Sequence, residues 1–211
     1  MLGSTLWLTL VTLTGLVAGF AREWLLIQAW GASNQSDAFL IALFLPEALR
    51  MALSAGLVAA AALPLYQART AGSQVIWLNA MSSRFLLIGL AISSLFALGA
   101  PLWVRVIGPG LNAQALAMAG DSLLVLAWCV PGFLLHALLS VPLQANSRFV
   151  LAGLGSLLFN LPAVAYLSAT GTSAEPLRVA QACLLGSLMM PLVLFLPLIR
   201  NGWRPWRAYG D

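Results

Sequence analysis

The stretch from Gly31 to Pro64, GASNQSDAFLIALFLPEALRMALSAGLVAAAALP, constrains this chain more than any other. It has the length and apolar character of a membrane helix, yet it carries Asp37, Glu47 and Arg50 within or at the edges of the run. A charged side chain at the centre of a bilayer costs about 2.5–3.5 kcal/mol on insertion scales. Three such groups in one span predict a polar cavity that receives them. Pro46 and Gly56 interrupt the same span, and broken helices are tolerated at depth where they face protein or water. Arg22, just upstream, adds a further cation to the same region.

Composition supports a membrane setting for the whole chain. Of 211 residues, 61% are hydrophobic and 8% charged, with a mean hydropathy of +0.94. A soluble domain carries about 25% charged residues, so the expected class is an integral membrane protein. Every positive side chain is Arg, which stays protonated whatever its surroundings. A net charge of +4 does not point to nucleic acid, because the cations are scattered instead of gathered on one polar face. Cys129 and Cys183 lie inside apolar runs and read as small packing residues. Leu2 to Phe20 lacks the positive n-region of a signal peptide and reads as a retained first helix.

Six apolar segments follow one another: about 6–30, 36–66, 75–98, 122–143, 149–168 and 177–199. None alternates with period two, so the expected fold is all-α, with six transmembrane helices and no barrel strands. The expected organisation is a six-helix lobe over residues 1–200 and a short basic, aromatic cytoplasmic tail over 201–211. Gly31–Gln35, Ala71–Ser73, Gly108–Gly110 and Thr170–Ser173 supply the turns. Arg105 and Asp121 are expected in a solvated loop before the fourth helix.

With six spans, both termini and the connections after helices two and four share one side. That side collects Arg69, Arg148, Arg200, Arg204 and Arg207, with Arg84 expected near a helix end; Arg105 and Arg178 lie opposite. The positive-inside rule then predicts cytoplasmic termini. Trp7, Trp30, Trp77, Trp103, Trp203 and Trp206 fall near span ends, as interfacial aromatics do. Pro46, Gly56 and Pro131 are candidate hinges.

Several motifs, in order, resemble the MurJ/MviN family of lipid II flippases, within the multidrug/oligosaccharidyl-lipid/polysaccharide exporter superfamily. They are Gly19-Phe20-Ala21-Arg22-Glu23, Trp30-Gly31-Ala32, Ser36-Asp37-Ala38-Phe39, Leu45-Pro46, Leu49-Arg50, Gly56 and Pro64. Pro109-Gly110, Asn146-Ser147-Arg148-Phe149 and Asn160 continue the pattern. The resemblance runs over roughly residues 14 to 200 and corresponds to the first six-helix lobe of a protein with about fourteen helices. Where the family pattern has further cavity charges, this chain has Leu16, Phe44, Met51 and Ala55.

The resemblance implies transport of a lipid-linked glycan pyrophosphate, for peptidoglycan or an exported polysaccharide, across the bacterial inner membrane. A homodimer or a partner membrane protein would supply the second lobe. Arg22 and Arg50 are the expected cationic contacts to the cargo, since the planar guanidinium makes paired, charge-assisted bonds to phosphate. Asp37 is the expected counter-ion or proton-coupled carboxylate. The competing structural reading pairs Arg22 with Asp37 near the interface and lets Arg50 snorkel to it.

Glu47 and Arg50, three residues apart, are expected to pair on one helix face. His136 reads as a packed or interhelical hydrogen-bonding residue. Paired catalytic carboxylates, Gly-rich phosphate loops, Ser/His/Asp sets and metal-ligand spacings are all missing, so neither an enzyme nor a cofactor or metal is expected. A second function class stays open: a non-transporting scaffold or regulatory subunit of a polysaccharide-assembly complex.

Overall fold

A computed structural model describes residues 2–54 and 56–203. Among them every regular element is helical: α1 (Leu2–Trp30), α2 (Asn34–Ser54), α3 (Leu57–Gln67), α4 (Ala71–Leu98), α5 (Ala100–Ile107), α6 (Ala113–Leu126), α7 (Val130–Ala145), α8 (Phe149–Gly153), α9 (Gly155–Thr170) and α10 (Pro176–Arg200). Short 3-10 turns join α6 to α7 and α9 to α10.

Thr9–Trp30, Ala71–Leu98, Ala113–Ala145 and Pro176–Arg200 are each long and apolar enough to cross a bilayer. The α2–α3 pair, bent by 40°, makes a fifth such stretch. The chain is therefore a polytopic, all-α membrane protein.

The expected fifth helix, 149–168, is broken into α8 and α9 at Leu154, between Gly153 and Gly155, where helix propensity is poor. Neither piece alone has the length of a span. The expected fourth helix also changes shape. It begins at Ala113, not near Ser122, and Pro131 opens α7 after the 3-10 turn Ala127–Cys129. Proline suits that first helical turn, where its missing N–H has no partner to lose. Arg105 and Asp121 are correspondingly not in a loop: Arg105 ends α5 and Asp121 lies within α6. Arg84 sits midway along α4, exposed, and not near a helix end.

The α6–α7 span is the centre of the bundle, with α2, α4 and α10 packed about it; α9 lies between α1 and α10. One apolar core joins Leu26 of α1 and Phe39 and Leu43 of α2 to α5, α6, α9 and α10. A second, smaller core joins Leu78, Leu138, Leu143, Leu194 and Leu198 around Trp203. Trp203 is buried and packs edge-on to Phe195 at 5.4 Å, so it is not the lipid-facing anchor its position suggested. The rest of that tail, with Arg204, Trp206 and Arg207, lies outside the described residues.

Long-range contacts order the two ends. Trp30 Nε1 donates to the Ala174 carbonyl at 2.7 Å, bringing the α1–α2 and α9–α10 connections together. At the other end, Tyr66 and Ala71, Asn146 and Arg148, and Asn201 and Trp203 surround one pocket. The connections after α3 and α7 and the end of α10 therefore meet. They carry Arg69, Arg148 and Arg200.

Candidate functional site

The face of α1 that meets α9 presents Gly15, Gly19, Arg22 and Leu26 at helical spacing. A Cβ at Gly15 would stand 2.9 Å from Ser156 Cβ, so glycine is what lets the two helices approach there. This close seam carries Arg22 into the protein, where it is only 4% exposed. Arg22 Nη1 donates to Asn160 Oδ1 at 2.8 Å, and Nη2 pairs with Glu23 Oε1 at 2.6 Å. Asn160 is fixed in turn, its Nδ2 donating to the Ser156 carbonyl at 2.8 Å.

Arg50 reaches the same neighbourhood from α2. Its Nε and Nη2 donate to the two carboxylate oxygens of Glu47, at 3.1 and 2.5 Å, and Nη1 lies 3.5 Å from Ser156 Oγ. The local Glu47–Arg50 pair expected from their spacing is present. Both guanidinium groups stand over the ring of Phe159, Arg22 at 5.7 Å and Arg50 at 5.0 Å from its centroid. Phe133 holds that ring edge-on at 5.2 Å. Cation–π attraction strengthens as the pair is desolvated, so a buried ring is an effective seat for two like charges.

The two arginines differ in access. Arg50 and Glu47 line an open cleft of about 630 Å³, together with Thr12, Leu16, Met51, His136 and Gln144; Arg22 does not line it. Asp37 is elsewhere. It is exposed in the first turn of α2, and thirteen residues of helix place it about 20 Å from Arg50. The structure thus brings Arg22 and Arg50 together on Phe159 and leaves Asp37 apart. Among the described residues, the carboxylate partner of Arg22 is its neighbour Glu23.

The candidate hinges also separate. Pro46 is buried and α2 continues through it. Gly56 takes φ +91° where α2 gives way to α3, and it borders the cleft; that left-handed backbone favours glycine. Pro131 is wedged against Gly89 of α4, where an added Cβ would come within 2.8 Å of Pro131 Cα. Gly56 alone of the three combines an irregular backbone with an open surface.

Sequence reasoning missed Phe159 as the shared seat and His136 as part of the cleft wall. The His136 ring packs on Gly155, and its buried Nε2 has no partner among the described residues. The residue before Asn160 carried no signal of its own, because an isolated Phe in an apolar helix looks like packing. Two of the family's cavity-charge positions, Leu16 and Met51, do lie on the cleft; Phe44 is exposed away from it, and Ala55 lies outside the described residues.

Comparison with known proteins bears on the family and the fold. The lipid II flippase MurJ family matches residues 26–209. A lipid II flippase MurJ of Thermosipho africanus is 26% identical over 149 residues, which are 71% of this chain and 31% of that protein. A solved lipid II flippase MurJ in an inward closed conformation superposes with a TM-score of 0.77 at 22% identity, covering 95% of this chain and 42% of that one. This chain thus spans less than half the length of either relative, and the structural likeness concerns the fold. A family match over most of the chain, joined to the same helical arrangement, places this protein in the MurJ lipid II flippase family.

Proposed function

We propose that this chain forms one lobe of a transporter that passes the headgroup of a lipid-linked glycan pyrophosphate across the bacterial inner membrane. The cargo serves peptidoglycan or an exported polysaccharide. In this reading the α8–α9 pair supplies a sixth crossing, and both termini lie in the cytoplasm, on the side of Arg69, Arg148 and Arg200. Family membership supports a lipid-linked-glycan transport role, and such a protein moves its cargo without covalent chemistry.

The observation that carries the proposal is Arg50 on the wall of the open cleft. Glu47 holds its fork in place and partly neutralises it while the site is empty. A pyrophosphate brings the competing negative charge, and the guanidinium pairs with it through charge-assisted hydrogen bonds. Arg22 acts behind Arg50, fixing Asn160 and the α1–α9 seam against which Phe159 is held. A cleft with this polarity needs a second lobe to close it against lipid; a second copy of the chain or a partner membrane protein fills that role.

Reconstitution into vesicles with a fluorescent polyprenyl-pyrophosphate sugar tests the cargo. Wild type flips it, and Arg50→Ala loses flipping at unchanged protein level. Equal flipping by both refutes the assignment. Native mass spectrometry in nanodiscs tests the second lobe; a discrete dimer or a stoichiometric complex is expected, and a stable monomer refutes it.

Leu16 and Met51 favour a second reading. They make the cleft wall apolar where the family pattern is cationic, which suits a scaffold subunit that has given up transport. Tight association with glycan-assembly proteins, without any flipping in the presence of a second lobe, would select it.

A further inference from the structure

The end of the bundle where the α3–α4 and α7–α8 connections meet the end of α10 encloses a pocket of about 380 Å³. It shares no lining residue with the cleft. Its wall combines the polar side chains of Tyr66, Gln74, Asn146, Arg148 and Asn201 with apolar ones, and among the described residues no acidic residue lines it.

Trp203 forms part of this wall, is 3% exposed, and has a buried Nε1 without a hydrogen-bond partner among the described residues. Buried donors are nearly always satisfied, so one left open marks a place for an acceptor. Arg148, exposed at the rim, adds a cation; Ser147 before it takes φ +58° and turns the chain there. Ala71 and Gln74 bring the first turn of the 28-residue α4 to the same pocket, and its N-cap Thr70 makes no side-chain cap. A helix start offers free N–H groups and the positive end of the dipole to an anion.

Val75, Leu78 and Leu198 form the apolar part of the wall. An apolar wall beside a cationic mouth, at the end of membrane-spanning helices, fits an amphiphile better than a soluble ion. We propose that this pocket binds the phosphodiester headgroup of an anionic membrane phospholipid, through Arg148, the Trp203 indole N–H and the start of α4. The proposal does not depend on the cargo of the cleft.

The test is native mass spectrometry of the detergent-purified chain with dioleoyl-phosphatidylglycerol or dioleoyl-phosphatidylcholine, which share acyl chains and differ in headgroup charge. Preferential retention of phosphatidylglycerol is expected. Arg148→Gln and Trp203→Phe should each cut that retention about fivefold or more, the scale of one lost charge-assisted bond. Arg178→Gln, at the opposite end, should leave it unchanged. Thermal unfolding confirms that each variant is folded; should Trp203→Phe fail this check, Arg148→Gln decides alone. Equal retention of the two lipids, or wild-type retention by Arg148→Gln, overturns the site. Release of phosphatidylglycerol by millimolar inorganic phosphate assigns the pocket to a soluble anion and overturns the lipid assignment.

Discussion

Arg22 and Arg50 stand over the same phenylalanine ring and lead different lives. Around Arg22 the bundle is closed. α1 lies on α9 along a glycine seam, Leu26 meets Phe39 and Leu43 in the main core, and the guanidinium is pinned by Asn160 and Glu23. Around Arg50 the bundle is open: α1 carries Leu13, Leu16 and Val17 on its exposed side, and the cleft lies between its early turns and the end of α2. Two cations of one type, on one aromatic seat, are separated by access alone. A guanidinium enclosed by the bundle holds the fold, and one that borders the cleft is available to a ligand.

The largest expected effect lies at Arg22. Arg22→Ala leaves Asn160 Oδ1 without its donor and empties a buried site, at a cost on the order of 2–3 kcal/mol. Thermal unfolding in detergent should show the drop, with lower abundance in the membrane; a variant as stable as wild type would remove Arg22 from the structural role. Gly15→Leu attacks the same closed half by forcing α1 from α9. The expected loss is about 1–3 kcal/mol for overpacking. Leu16→Ala, one residue on and exposed, should stay within about 0.5 kcal/mol of wild type.

In the open half the expected readout changes from stability to binding. Arg50→Ala should weaken binding of a polyprenyl pyrophosphate about tenfold or more, for loss of a charge-assisted pair, with an unfolding shift limited by the access of the unpaired Glu47 to the open cleft. Glu47→Gln sharpens the contrast, because it frees the guanidinium: binding should tighten a few-fold, read by the same titration. Weaker binding in Glu47→Gln would mean that the carboxylate orients Arg50 more than it competes with cargo. Asp37→Asn should do least. It removes a charge from the start of α2, worth a few tenths of a kcal/mol, and a loss of cargo binding there would bring Asp37 back to the site.

Local pattern carried part of this. The Glu47–Arg50 pair follows from a spacing of three on a helix, and the apolar lengths of α1, α4 and α10 follow from hydropathy. Other features escaped because they rest on partners far away in the chain. Arg22 meets Asn160 across 138 positions. The Trp203 ring looks like an interfacial anchor until Phe195 and the second core enclose it. Arg105 and Asp121 looked like loop residues because charge beside glycine and proline imitates a turn, although the backbone there is helical.

The all-α membrane class and the resemblance to the MurJ family were legible in the chain alone, since apolar length and motif order are written residue by residue. Which arginine is buried and which faces the cleft depends on packing between distant helices. Two helices present similar charges, and the fold sets their fate by how closely glycine lets one helix approach and where the next bends away.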